Sequence, residues 1–211
     1  MADLKELASA LERGDAPTVE KLTKEAVDAG TDPKEILDGA LIVGMQVVGE
    51  RFKNNEIYVP EVLIAARAMT TGLKVLEPLL TKAGVKPVGT IAIGTARGDL
   101  HDIGKNLVGM MMRGNGFKVI DLGIDVTPEK FIEAAKEEDI NIIGISALLT
   151  TTMPSMKATI EGLQKAGLLD KVKVMIGGAP VTQRYADEIG ADGYAPDAGS
   201  AVEKAKALIG L

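Results

Sequence analysis

Val88-Gly-Thr-Ile-Ala-Ile93-Gly94-Thr-Ala-Arg-Gly98-Asp99-Leu-His101-Asp-Ile-Gly104 runs from an apolar stretch into a loop punctuated by glycine. Val88–Ile93 has the composition of a buried strand, and Lys105–Arg113 has that of a helix. The single histidine of the chain therefore lies in a loop at the C-terminal end of a strand. Gly94, Gly98 and Gly104 permit backbone turns and close approach of a ligand. Asp99, two residues before His101, is near enough to hold the ring from behind.

Downstream, apolar runs alternate with amphipathic stretches. Strands are expected at 88–93, 118–122, 140–146, 172–176 and 193–195. Helices are expected at Gly104–Asn115, Thr127–Glu138, Thr152–Ala166, Val181–Ile189 and Ala198–Leu208. Such alternation with short loops predicts a parallel sheet covered on both faces, in the flavodoxin-like (Rossmann-like) order 2-1-3-4-5. In that order the loop carrying His101 meets Ser146–Thr152 after the third strand and Gly177-Gly178 after the fourth. Taken singly, Ser146 and Thr150 also read as helix caps, and the glycine pair as a turn.

Upstream, residues 1–83 contain no convincing strand. Leu4, Leu7, Ala8 and Leu11 follow helical spacing, as do Val19, Leu22, Ala26 and Val27. A third helix carries Ile36, Leu37, Ala40, Leu41, Gly44, Val48 and Phe52. Val59-Pro60-Glu61 opens a fourth. Short connections make this a four-helix bundle. Lys82–Gly89 is a linker by composition, long enough to span roughly 26–29 Å. The fold class is thus α+β with two domains, a helical bundle over 1–85 and a five-stranded parallel α/β domain over 86–211.

The chain has 211 residues, 46% hydrophobic and 3% aromatic, so its core must be aliphatic. A net charge of −6 argues against nucleic acid as partner. No run approaches the ~18 apolar residues of a membrane span, and the N-terminus lacks the apolar core of a signal peptide. A cytoplasmic protein is expected.

On the residues alone His101 has two readings. It is a loop histidine satisfied by a neighbouring carboxylate, or it is one axial nitrogen for a metal that arrives inside a macrocycle. With no cysteine and one histidine, a soft-ligand zinc site is excluded. No Gly-x-Ser-x-Gly elbow is present to build a hydrolytic triad.

Asp99-Leu-His101-Asp-Ile-Gly104 matches the Asp-x-His-x-x-Gly signature of cobalamin-binding domains. The longer Gly98–Asn106 stretch resembles cobalamin-dependent methionine synthase and the small corrinoid proteins of methyltransferase systems, and the resemblance covers nearly the whole chain. It implies cobalamin or a related corrinoid bound base-off and His-on, with His101 as the cobalt ligand. Gly98, Asp99, Leu100, His101, Asp102, Ile103 and Gly104 are its cofactor loop. Asp99 would take the second ring nitrogen, and Thr152 stands where the family has a serine that completes the relay, with Ser155 in reserve. Ser146 and Leu148 match the Ser-x-Leu signature of the pocket for the displaced nucleotide tail, Thr150 a neighbouring position, and Gly177-Gly178 the paired glycines beside it. Phe52 and Val59 fall on the two helical-domain positions that cap the methyl face.

The resemblance further implies a corrinoid methyl carrier, a non-catalytic subunit of a methyltransferase system. Methyltransferases of this type use barrels of ~250 residues, longer than this chain. Its partners would be a substrate:corrinoid methyltransferase, a corrinoid:acceptor methyltransferase delivering to tetrahydrofolate or a thiol, and a reductive activation protein. The bundle would have to swing aside to admit a methyl donor. The alternatives are a cobalamin-dependent regulator or sensor without a DNA-binding domain, the binding subunit of an adenosylcobalamin mutase, and a flavodoxin-like signalling or nucleotide-binding domain.

Overall fold

A computed structural model describes residues 3–137 and 139–211. Glu138, the expected end of one helix, lies outside the described residues. The chain divides into two compact units. One runs up to Pro87 and includes Gly114–Gly116; the other is Val88–Arg113 with Phe117–Leu211.

The first unit is helical: α1 (Leu4–Glu12), α2 (Ala16–Asp28), α3 (Pro33–Ile36), α4 (Val43–Lys53) and α5 (Val59–Lys82). Asp3, Asp15 and Asp32 cap α1, α2 and α3 by accepting from first-turn N–H groups. Leu7, Leu11, Val19, Ile36, Leu41, Met45, Val62, Met69 and Leu76 form its buried aliphatic core. A methyl group at Gly44 would come within 2.9 Å of the Ala8 carbonyl oxygen, so α1 and α4 cross at a separation that only glycine allows.

The expected third helix is one rod in the structure, but Leu37–Ile42 between α3 and α4 winds as a π-helix. Its buried stripe explains why. Ile36, Ala40, Gly44 and Val48 are all buried and lie four residues apart. In a straight α-helix each such step drifts about 40° around the axis. A wider turn takes up that drift and keeps the stripe facing the core.

The second unit is a five-stranded parallel sheet in the order β2-β1-β3-β4-β5, as the alternation predicted. Its strands are β1 (Thr90–Ala96), β2 (Lys118–Val126), β3 (Ile142–Ser146), β4 (Lys173–Gly177) and β5 (Gly193–Ala195). The helices are α6 (Ile103–Gly114), α7 (Pro128–Lys136), α8 (Met153–Lys165), α9 (Gln183–Ile189) and α10 (Ala198–Leu208).

β1 and β2 both run further than expected. β1 continues through Gly94 to Ala96, because the missing side chain at Gly94 is filled from α7. A methyl there would meet the Phe131 ring at 2.9 Å and Val126 at 3.0 Å. Gly94 is thus a packing glycine inside a strand, not a loop glycine open to a ligand. β2 continues to Val126 by bulging. Ile93 pairs with Asp121, Gly94 with Gly123 and Ala96 with Val126, so Ile124 and Asp125 together oppose Thr95.

Candidate functional site

β1 lies between β2 and β3, and the loops leaving the C-terminal ends of all three meet at one edge of the sheet. Thr95 pairs with Ser146 on β3, and Ser146 with Gly177 on β4. The topology therefore places His101, Ser146 and Gly177-Gly178 on neighbouring strand ends.

The centre of this edge is the carboxylate of Asp99, which is fully buried (0% exposed) and accepts from two segments, the loop after β1 and the loop after β3. Oδ1 takes the backbone N–H of His101 at 3.1 Å and lies 2.7 Å from its ring Nδ1. Oδ2 takes the N–H groups of Leu148 at 2.7 Å and Leu149 at 3.2 Å. It also lies 2.8 Å from the Thr152 hydroxyl, which has Leu149 O as a second acceptor at 2.8 Å. Burial alone would raise the pKa of Asp99. Hydrogen bonds from the His101 backbone and ring, Leu148 and Thr152 outweigh it and hold the acid well below the ordinary carboxylate range.

An ionised carboxylate only accepts, so Nδ1 of His101 carries a hydrogen toward Asp99. In the neutral ring Nε2 is then the nitrogen with a free lone pair. The His101 side chain is 52% exposed, although its Nδ1 is turned to a carboxylate that is fully buried. Behind it, the Thr95 hydroxyl donates to the His101 carbonyl at 3.0 Å.

The rest of the expected loop divides by role. Gly98 has φ +83°, a turn position suited to glycine. The Asp102 backbone carbonyl and carboxylate accept from the backbone and side chain of Asn106 at 2.7 and 3.0 Å, closing the first turn of α6. Leu100 and Ile103 project outward, 66% and 75% exposed. Gly104 presents a bare face, since a methyl there would meet nothing within 4 Å. Thr150 is exposed and Ser146 half-buried. Leu148 contributes its N–H to Asp99, and its side chain is exposed. A side chain on Gly178, at φ +124°, would collide with the backbone of Ala147, and one on Gly177 would approach Ala195 O to 3.3 Å. Backbone crowding thus accounts for glycine at 178. The Ser155 hydroxyl is buried without a hydrogen-bond partner among the described residues, so the bond to Asp99 belongs to Thr152.

Phe52 and Val59 belong to the helical unit. Phe52 sits in the last turn of α4 and Val59 is the first residue of α5. Both are half-buried. The Tyr58 N–H donates to Glu61 Oε2 at 3.0 Å, fixing the start of α5 between them.

Two contributors escape a reading along the sequence. The Lys105 side chain is buried, and its Nζ donates to Asp121 Oδ1 and Oδ2 at 2.6 and 2.7 Å and to Asn106 Oδ1 at 2.7 Å. This joins α6 to β2. Asp125, from the bulge in β2, accepts the Gly98 N–H at 2.7 Å and donates its own N–H to Asp99 O at 3.0 Å. Nothing in the local sequence reports either pairing, because the partners lie 16 and 27 residues apart.

Comparison with known proteins bears on both units. A profile of the B12 binding domain matches residues 89–203, and a second B12 binding domain profile matches residues 3–77. A corrinoid protein of Desulfitobacterium hafniense (strain Y51) is 45% identical over 213 residues, covering 100% of this chain and 99% of its own length. The trimethylamine corrinoid protein of Methanosarcina barkeri is 46% identical over 93% of this chain and 92% of its own. Among solved structures, a cobalamin-binding protein from Desulfitobacterium hafniense DCB-2 superposes with a TM-score of 0.83 at 32% identity, covering 100% of both chains. A chain of the methanol:cobalamin methyltransferase complex from Methanosarcina barkeri gives 0.84 at 34% identity, covering 96% of this chain and 78% of that one. With each unit matched in turn and a relative aligned along its whole length, the chain belongs to the B12-binding corrinoid proteins.

Proposed function

We propose that this corrinoid protein is a methyl carrier that holds cobalamin base-off, with Nε2 of His101 as the axial nitrogen. The observation that carries the reading is the pairing of His101 with Asp99. A buried carboxylate kept ionised fixes one tautomer and leaves the other nitrogen free to ligate, an arrangement that raises ligand basicity. The surroundings fit a flat macrocycle. Leu100 in the loop after β1, Ile103 at the start of α6, Ile124 in the bulge of β2, and Leu148 and Leu149 in the loop after β3 are exposed apolar side chains, and Gly104 adds a face without a side chain.

Bound cobalamin would supply a cobalt atom able to accept and release a methyl group. The chain's own residues bind, orient and move a proton. His101 ligates, Asp99 holds the ring, and Thr152 holds Asp99. A proton taken up by the His101–Asp99 pair when the ring lets go would couple ligation to the state of the metal. Ser146, Leu148, Thr150 and the Gly177-Gly178 turn would accept the displaced nucleotide tail. The helical unit would serve as a cap, Phe52 and Val59 facing the methyl group.

The methyl donor would be a small methylated amine or alcohol, the class named in the relatives. A substrate:corrinoid methyltransferase would load the carrier, a corrinoid:acceptor methyltransferase would unload it to tetrahydrofolate or a thiol, and a reductive activator would rescue oxidised cobalt. The test uses the single histidine. Protein labelled with ¹⁵N-histidine and loaded with unlabelled cobalamin is reduced to the paramagnetic cobalt(II) state. A two-line nitrogen splitting in the electron paramagnetic spectrum supports His101; a three-line splitting from the unlabelled lower base refutes it.

A further inference from the structure

We infer that Asp125 is a positioning residue for His101, holding from β2 the turn that aims the ring. Asp125 grips that turn twice. Its carboxylate accepts the Gly98 N–H at 2.7 Å, and its own N–H donates to the Asp99 carbonyl at 3.0 Å. The Gly98-Asp99 pair is therefore held at both ends, at the peptide before Gly98 and at the peptide after Asp99. Asp99 then holds the His101 ring at 2.7 Å. The route from β2 to the imidazole is one residue long at each step.

The backbone of Asp125 shows what this grip costs. It adopts φ +50°, a left-handed conformation that strains most side chains but is tolerated by aspartate and asparagine. The bulge creates that conformation, since Ile124 and Asp125 together oppose Thr95 of β1. Without the extra residue, β2 would pair in register and no carboxylate would reach Gly98. Bulges next to functional loops commonly re-aim a side chain in this way. The Asp99 carboxylate already has every approach filled by donors, so the remaining freedom of the loop lies in the turn before it. Asp125 closes that freedom.

The consequence for cobalt rests on the reading of His101 as axial ligand; the consequence for the ring does not. The first measurement therefore uses ¹⁵N-labelled full-length protein without cofactor. Long-range proton–nitrogen correlations at about pH 9, well above the ordinary histidine range, report which nitrogen of the single imidazole carries the hydrogen. Wild type is expected to show Nδ1–H.

Asp125→Ala and Asp125→Gly are expected to lower the ratio of Nδ1–H to Nε2–H about tenfold, the worth of one hydrogen bond. Glycine adopts positive φ without strain, so its agreement with alanine assigns the effect to the lost carboxylate and not to a disturbed bulge. Asp125→Asn keeps a side-chain carbonyl acceptor and is expected to stay within about twofold of wild type.

A wild-type ratio in both the alanine and glycine variants overturns the proposal, as does an Nε2–H tautomer in wild type. The absorption spectrum of cobalamin-loaded protein is the second measurement. Asp125→Ala and Asp125→Gly are expected to lower the histidine-bound fraction, and Asp125→Asn to restore it. If His101→Ala leaves that spectrum unchanged, the axial-ligand reading fails alone, and the tautomer ratio still decides the role of Asp125.

Discussion

The hydroxyl of Thr152 lies 2.8 Å from Asp99 Oδ2 and equally 2.8 Å from Leu149 O. A hydroxyl has one hydrogen, so Thr152 divides it between a carboxylate and a carbonyl. Replacing Thr152 with serine keeps that hydrogen and removes only a methyl group, and is expected to leave stability within about 1 kcal/mol of wild type. Valine keeps the shape and removes the hydroxyl, stripping a buried carboxylate of one donor. A loss of about 1.5–3 kcal/mol is expected, read by urea unfolding of the cofactor-free protein. Equal midpoints for the two variants would remove Thr152 from the relay.

Asp99→Asn tests the charge. Every group facing the Asp99 oxygens is a donor, so an amide must turn its own N–H₂ against at least one of them. The expected cost is about 2–4 kcal/mol. The Nδ1–H preference of His101 should fall with it, as the nitrogen correlations would show. An asparagine variant as stable as wild type would mean that the carboxylate does not need its charge.

The pH dependence follows from the same group. The folded-state pKa of Asp99 is depressed below its ordinary value of 3.8. Its contribution to stability is therefore fully present above the unfolded value and is lost as pH falls through the folded one. The stability advantage of wild type over Asp99→Asn should be level from neutral pH to about 5 and shrink progressively below about 4. Urea titrations at a series of pH values check it; an advantage that grows toward acid would give Asp99 the opposite shift.

Two glycines separate fold from ligand. Alanine at Gly178 would drive its methyl into the Ala147 backbone at a positive φ, and a loss of about 2–4 kcal/mol is expected. Alanine at Gly104 meets no atom and lies in the first turn of α6, so stability should hold or rise by up to about 1 kcal/mol. Cobalamin affinity should nevertheless fall, because the methyl occupies the face offered to the ring system. Equilibrium titration with cobalamin, beside thermal melts of both variants, distinguishes the effects. Unchanged affinity in Gly104→Ala would place the corrin elsewhere.

Much of this was legible in the residues. The five apolar runs fixed the sheet and its order, since parallel strands joined by short loops and helices leave few alternatives. The Asp99–His101 contact was legible because it is local. Errors came where local signals compete with packing. Gly94 reads as the end of a strand, yet Phe131 fills the space beside it and β1 continues. The second expected strand stops at Leu122, before Gly123 and Asp125, yet β2 bulges after Asp121 and again after Gly123 and runs on to Val126. Lys105 has the composition of a solvated helix face, yet it is buried against Asp121. Ser155 and Thr152 are chemically similar along the chain, and only the fold shows which hydroxyl reaches Asp99. In each case the deciding partner is distant in sequence.

The saturation of Asp99 has an evolutionary corollary. Its oxygens are shared among the loops after β1 and β3, and the bulge of β2 pins the turn that carries it. A change in any of these segments is felt by the other two. Loop surfaces ordinarily drift faster than the strands beneath them. Here the reverse is expected: the aliphatic strands can exchange valine for isoleucine freely, while the connecting turns diverge only in concert, and lineages that retool the rim must alter several positions together.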